Sequence, residues 1–258
     1  MTPSIPHYYV ILQPRGIVAR LSVNDIPFYR RAVDHNTSPS GPFNHMLIPG
    51  DNVVTVELAE VPGVIAENVV RTFEFRILRE DDDDKLFGTK YPDFALPRKE
   101  EERGLPIRHD QRFRVDFATP EPAWMGAEPG FFPESGTPEL HDAFREFNDA
   151  FRKKDVGAFL HAPRLRVAEH RRFYGPQPHL EDARAKSDVT ELLEEPWAVD
   201  PVEPSDLVFE RHAEGRVAYV TRRDGRPAIS AKSTRDPQTG FSVNLLLTRH
   251  QGRWTIFG

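Results

Sequence analysis

Between Thr119 and Thr137 the chain places Pro120, Pro122, Pro129 and Pro133 among Gly126, Gly130 and Gly136. No helix interior or central strand accommodates that density, because each proline removes a backbone donor and each glycine raises the entropy lost on ordering. The stretch therefore divides the 258 residues into two predicted domains, 1–119 and 138–258, with a linker over 120–137. Trp124, Phe131 and Phe132 within it predict a segment packed along a folded surface, since a solvated spacer carries few large apolar groups. At 38% hydrophobic residues, either part can bury its own core.

Residues 1–119 read as successive strands at 8–12, 17–23, 53–58, 69–78 and 112–117. In Arg112-Phe113-Arg114-Val115-Asp116-Phe117 apolar and charged residues alternate, as they do in Thr72-Phe73-Glu74-Phe75-Arg76-Ile77, so each strand has one wet face. No sustained helical period interrupts them, and an antiparallel β-sandwich is the expected closure. Val23-Asn24-Asp25 forms a turn, and Pro49 to Val56 enters a strand through Pro49-Gly50-Asp51-Asn52. In these two stretches the part resembles the ancillary β-sandwich modules, of jelly-roll or carbohydrate-binding type, that stand beside bacterial catalytic domains. The resemblance implies a module that binds or braces.

Two features of this part could carry function. A polar loop over 28–46 holds Tyr29, Arg30, Arg31, His35 and His45, which hydrogen-bond sugars or peptide backbones and stand as candidate partner contacts. An edge loop covering the sheet is the structural alternative. Asp81 to Asp84 are four consecutive carboxylates. They lack the glycine and distal glutamate of a calcium loop, so they read as a solvated hairpin tip.

The second part starts as helix. Thr137-Pro138-Glu139 combines a capping hydroxyl, proline at the first helical position and an early acid. Leu140, Phe144, Phe147 and Phe151 recur on one face. Asp155 is placed to cap a short helix carrying Val156, Phe159 and Leu160, and further helices are predicted over 164–173 and 180–194. After Pro204 the period becomes two, with strands at 207–211, 216–222, 227–233, 241–249 and 254–257 and glycine turns between them. Helices followed by an antiparallel meander predict an α+β domain. Phe147 with residues 152–160, and the closing run 245–256, resemble the first helix turn and final hairpin of the NTF2-like, SnoaL-type family. That resemblance implies a cone, a curved sheet wrapped on helices, whose mouth can hold a small ligand. Its enzymatic members use an inward carboxylate base, and none is placed inward by the periodicity here. His170, Tyr174 and Asn244 are the candidate ligand-binding residues of such a cone, and no catalytic set is assigned.

Composition narrows the function further. The net charge of −6 divides evenly, −3 in each part, so neither is basic enough to predict a nucleic-acid partner. Cysteine is absent, which removes disulfides, thiolate metal sites and a cysteine nucleophile. The ten histidines show no ligand spacing, and no metal or cofactor is predicted. No apolar run spans a bilayer and no leader pattern precedes the first strand, which predicts a cytoplasmic protein without membrane insertion. The expected function is a non-catalytic binding or interaction protein of bacterial immunity, adaptor or assembly-subunit type, with a protein partner. The alternative is a small-molecule isomerase, dehydratase or cyclase acting in the cone. Strand 241–247 is apolar on both faces, so its outer face is expected to meet a second copy, the first domain or a foreign protein.

Overall fold

The computed structural model describes residues 7–15, 17–31, 40–60, 72–80, 89–90, 94–95, 106–115, 120–175, 182–236 and 238–258. Its described residues form antiparallel sheets and four α-helices, an α+β arrangement. None of its described helices is long and apolar enough to cross a membrane. The chain falls into two compact units, Met1–Pro120 and Glu121–Gly258, so the proline-rich stretch clusters with the second. The aspartate run at 81–84 and His35 lie outside the described residues.

In the first unit, strands β1 (His7–Arg15), β2 (Val18–Val23), β3 (Ile26–Arg31), β4 (Ser40–Pro42), β5 (Gly50–Ala59), β6 (Thr72–Glu80), β7 (Thr89–Lys90), β8 (Phe94–Ala95) and β9 (Ile107–Val115) form two sheets. One is ordered β4-β1-β6-β7, with β8 also on β6, and the other β3-β2-β5-β9. Alternation decides which side chains go inside: Ala19, Leu21 and Val23 of β2, Val54, Val56 and Leu58 of β5, and Phe113 and Val115 of β9 are buried. Their charged neighbours stay wet, where Arg108 meets Glu57 and Arg114 meets Asp51. The two sheets meet where the ring of Tyr8 lies 5.8 Å from that of Phe113. Phe43, fully buried, packs edge-on against both.

The region expected as one long polar loop begins as a strand. Asn24 and Asp25, both at positive φ, turn the chain directly from β2 into β3, the geometry a two-residue hairpin requires. Its two motif asparagines then lock β2 to β5. Asn52, fully buried, donates to the carbonyls of Ile48 and Gly50 and accepts from the Ile48 N–H and the Asn24 side chain. Asn24 also donates to the Met46 carbonyl and accepts from the Val53 N–H. Every hydrogen-bonding site on the Asn52 amide is thereby used. Asn52→Ala should destabilise this unit by about 2–3 kcal/mol, since it strands buried backbone groups, and amide exchange at Ile48 and Val53 should quicken in step. Unchanged exchange at both amides would show that the asparagines do not hold the turn.

The second unit follows its sequence pattern closely. Helices α1 (Pro138–Arg152), α2 (Val156–His161), α3 (Arg164–Tyr174) and α4 (Asp182–Glu194) precede β10 (Trp197–Val199), β11 (Leu207–His212), β12 (Val217–Arg222), β13 (Ile229–Ser233), β14 (Gly240–Val243), β15 (Leu245–His250) and β16 (Arg253–Ile256). Asp155 caps α2 by accepting from the Ala158 N–H at 3.0 Å. Thr137 stands at the N-cap of α1, but its hydroxyl makes no capping bond. The strand β10 was not legible, and the run 241–249 divides at Asn244, leaving one sheet of order β10-β13-β14 and another of order β11-β12-β15-β16.

One core joins helices to sheet. Leu140, Phe144, Phe147 and Phe151 of α1 pack with Phe159, Phe209, Val220, Leu247 and Trp254. Phe147 stacks on Phe159 with ring centroids 4.7 Å apart, and Phe151 on Phe241 at 4.8 Å. The other face of the sheet carries Tyr219, Leu246 and Phe257, which are likewise buried within the single chain.

Residues 121–137, expected as a linker, are strapped onto this unit. The buried carboxylate of Glu169 accepts from the Ala123 N–H at 2.7 Å and from Arg172 at 2.8 Å, while Arg172 also donates to the Glu121 carbonyl. Farther along, Arg216 donates to the Ala127 carbonyl and the Phe209 N–H to that of Glu134. Trp124 and Phe132 are buried by these contacts, whereas Phe131 is 79% exposed beneath the guanidinium of Arg211.

Candidate functional site

The described residues singled out in the sequence lie on several different elements. Tyr29, Arg30 and Arg31 belong to β3. His45 lies in a single helical turn at Asn44–Met46 and is 6% exposed. On α3, His170 and Tyr174 stand one turn apart with rings 5.2 Å apart, and Tyr174 is buried at the helix end. Asn244 sits at the break between β14 and β15. Its carbonyl oxygen accepts from the Ala228 N–H at 3.0 Å, and its amide donates to the Tyr219 hydroxyl at 2.6 Å. Those bonds satisfy a backbone donor at the corner where the strand leaves one sheet for the other, which gives Asn244 a structural duty.

Inward positions of the large sheet are set by β-strand alternation. They are Leu207 and Phe209 on β11, Ala218 and Val220 on β12, and Leu245 and Leu247 on β15, all in the core with α1. Aromatic rings occupy much of the space a cone would enclose. A gap among Ala143, Glu146, Ala162, Arg164, Trp254, Thr255 and Ile256 amounts to about 10 Å³, room for one water at most. Among the described residues, no group of three or more histidine, aspartate or glutamate side chains is arranged to hold a metal ion.

No family model, curated protein or solved structure matches this chain.

One inward residue breaks the apolar pattern. Arg222, the last residue of β12, shares the face of Ala218 and Val220 and lies opposite Leu207 in the register. Only 3% of it is exposed. Its Nη1 donates to the Pro201 carbonyl at 3.2 Å. Its Nε and Nη2 are buried without an acceptor. The carboxylates nearby in the chain are committed elsewhere. Asp200 accepts from the Ser230 hydroxyl at 2.5 Å and lies 3.6 Å from Arg226, and Asp206 accepts from the Glu203 N–H. Asp224 is held below the usual carboxylate range chiefly by the Arg226 N–H and guanidinium, with a smaller part from the Arg222 charge. Alternation from Ala218 marks position 222 as inward, a signal for a buried cation that a search for inward acids does not register.

Proposed function

We propose that the chain is a non-catalytic binding protein of bacterial immunity, adaptor or assembly-subunit type, working in the cytoplasm on a protein partner. In this reading the first unit is a β-sandwich module and residues 138–258 form an NTF2-like domain. The observation that supports it is the filling of the helix–sheet interior by Phe144, Phe147, Phe151, Phe159 and Trp254. Acid–base chemistry in such a cone needs a positioned titratable group within reach of a substrate. Apart from Arg222, whose guanidinium stays protonated, the inward positions of β11, β12 and β15 bear Leu207, Phe209, Ala218, Val220, Leu245 and Leu247, none of which moves a proton. Tyr29, Arg30 and Arg31 of β3 are the proposed partner contacts.

The test is co-purification of the full-length tagged chain from cells that encode it, followed by gel filtration with light scattering. A defined complex heavier than the 29.5 kDa chain, reconstituted from the chain and its purified partner, is the expected result. A species of twice that mass containing only this chain would instead assign the interaction to a homodimer. Elution at 29.5 kDa from every preparation would reject the reading.

A further inference from the structure

We propose that Arg222 is the anchor of a site for a small oxyanion, a carboxylate or phosphate, at the edge of the helix–sheet core beside the 201–206 loop. The inference is independent of the protein partner proposed above.

A guanidinium keeps its charge at any pH a folded protein meets and offers five N–H donors. Burying that charge is unfavourable unless a counter-charge and hydrogen bonds replace the water it loses. Arg222 is 3% exposed, yet its guanidinium makes a single donation, from Nη1 to the Pro201 carbonyl.

The two unmatched nitrogens are not a random pair. Nε and Nη2 lie along the same edge of the planar guanidinium and point their N–H bonds in parallel, the side-on fork that two oxygens of a carboxylate or phosphate fill together. The Pro201 bond pins the opposite nitrogen and so fixes the direction of the fork. A neutral acceptor such as water would satisfy the hydrogen bonds and leave the charge uncompensated. An oxyanion does both.

Selectivity and access follow from the surroundings. Asp200, Asp206 and Asp224 are engaged by Ser230, Glu203 and Arg226, so no neighbouring acid is drawn into the fork. Leu207 opposite and Val220 on the same face are fully buried, and low polarity there strengthens a charge-assisted bond. Pro201, whose carbonyl takes the Arg222 bond, is exposed, as are residues 203–206 that follow it.

The experiment uses the full-length chain with inorganic phosphate and succinate as probes, against chloride at matched ionic strength. Nitrogen-15 spectra of the arginine side chains follow the Arg222 Nε–H resonance, assigned by its loss in Arg222→Lys. Both probes should raise the melting temperature, and at least one should shift that resonance along a saturating curve. Arg222→Met, which removes an unpaired buried charge and keeps much of the volume, should melt higher than the parent without any anion and bind at least about tenfold more weakly. Arg222→Lys keeps the charge and loses the fork, so it should also lose the response. The proposal is overturned if the Arg222 resonance and the melting temperature ignore both probes, or if Arg222→Met responds to them as the parent does.

Discussion

Phe147→Ala should remove about 3–5 kcal/mol from the stability of the second unit. The ring is 6% exposed and stacked at 4.7 Å on Phe159, with Phe144 and Phe151 in the same core. Alanine there loses both the transfer free energy and the dispersion contacts of a close-packed neighbour, and a helix pinned to a sheet can collapse only partly into the void. Trp124, Trp197 and Trp254 are the chain's three tryptophans, and all belong to this unit. Urea unfolding followed by tryptophan fluorescence therefore reads the effect directly. A midpoint change equivalent to less than about 1 kcal/mol would mean that the aromatic face of α1 is not the core.

A second large effect is expected at a residue with no side chain. Gly215 ends a run of three left-handed residues, Ala213, Glu214 and Gly215, with φ of 48°, 60° and 83°. A Cβ there would fall 1.8 Å from the carbonyl oxygen of Gly130 on the strap. Backbone cannot move aside as a flexible side chain can. Gly215→Ala combines left-handed strain of about 1–2 kcal/mol with overpacking of about 1–3 kcal/mol, so a loss of roughly 2–5 kcal/mol is expected. Because the strap is what yields, exchange of the Phe209 amide, bonded to the Glu134 carbonyl, should accelerate more than that of the Val220 amide within the sheet. Equal acceleration at both sites would argue against a local effect on the strap.

Arg222 stands apart from these two. Its replacement is expected to stabilise the chain, because the group is unfavourable where it lies. A residue that weakens the fold it sits in fits a functional role better than a structural one, and that opposition of stability and binding is what the Arg222→Met comparison measures.

Local pattern along the chain determines most of the described elements of the second unit. Leu140, Phe144, Phe147 and Phe151 recur at helical spacing, and all four are buried on one face of α1. Asp155 precedes α2 as its cap, and the glycine turns fall between strands. These features rest on interactions a few residues apart, so the order of residues suffices to write them. The turn at Asn24 and Asp25 was legible for the same reason.

What the order of residues could not decide depends on groups far apart in the chain. Asn24 and Asn52 could be read as motif residues, but that they bond to each other follows only once β2 lies against β5. The strap looked like a linker because proline and glycine report local conformation alone, while Glu169 and Gly215, which hold or admit it, lie 46 residues beyond Ala123 and far beyond Gly130. Asn244 became a corner through Ala228 and Tyr219. Alternation could aim Arg222 inward, but only packing shows that two of its donors meet no acceptor. Hydrophobic period and turn chemistry are carried by neighbours along the chain, whereas satisfaction of a buried polar group is settled by whatever the tertiary fold sets beside it.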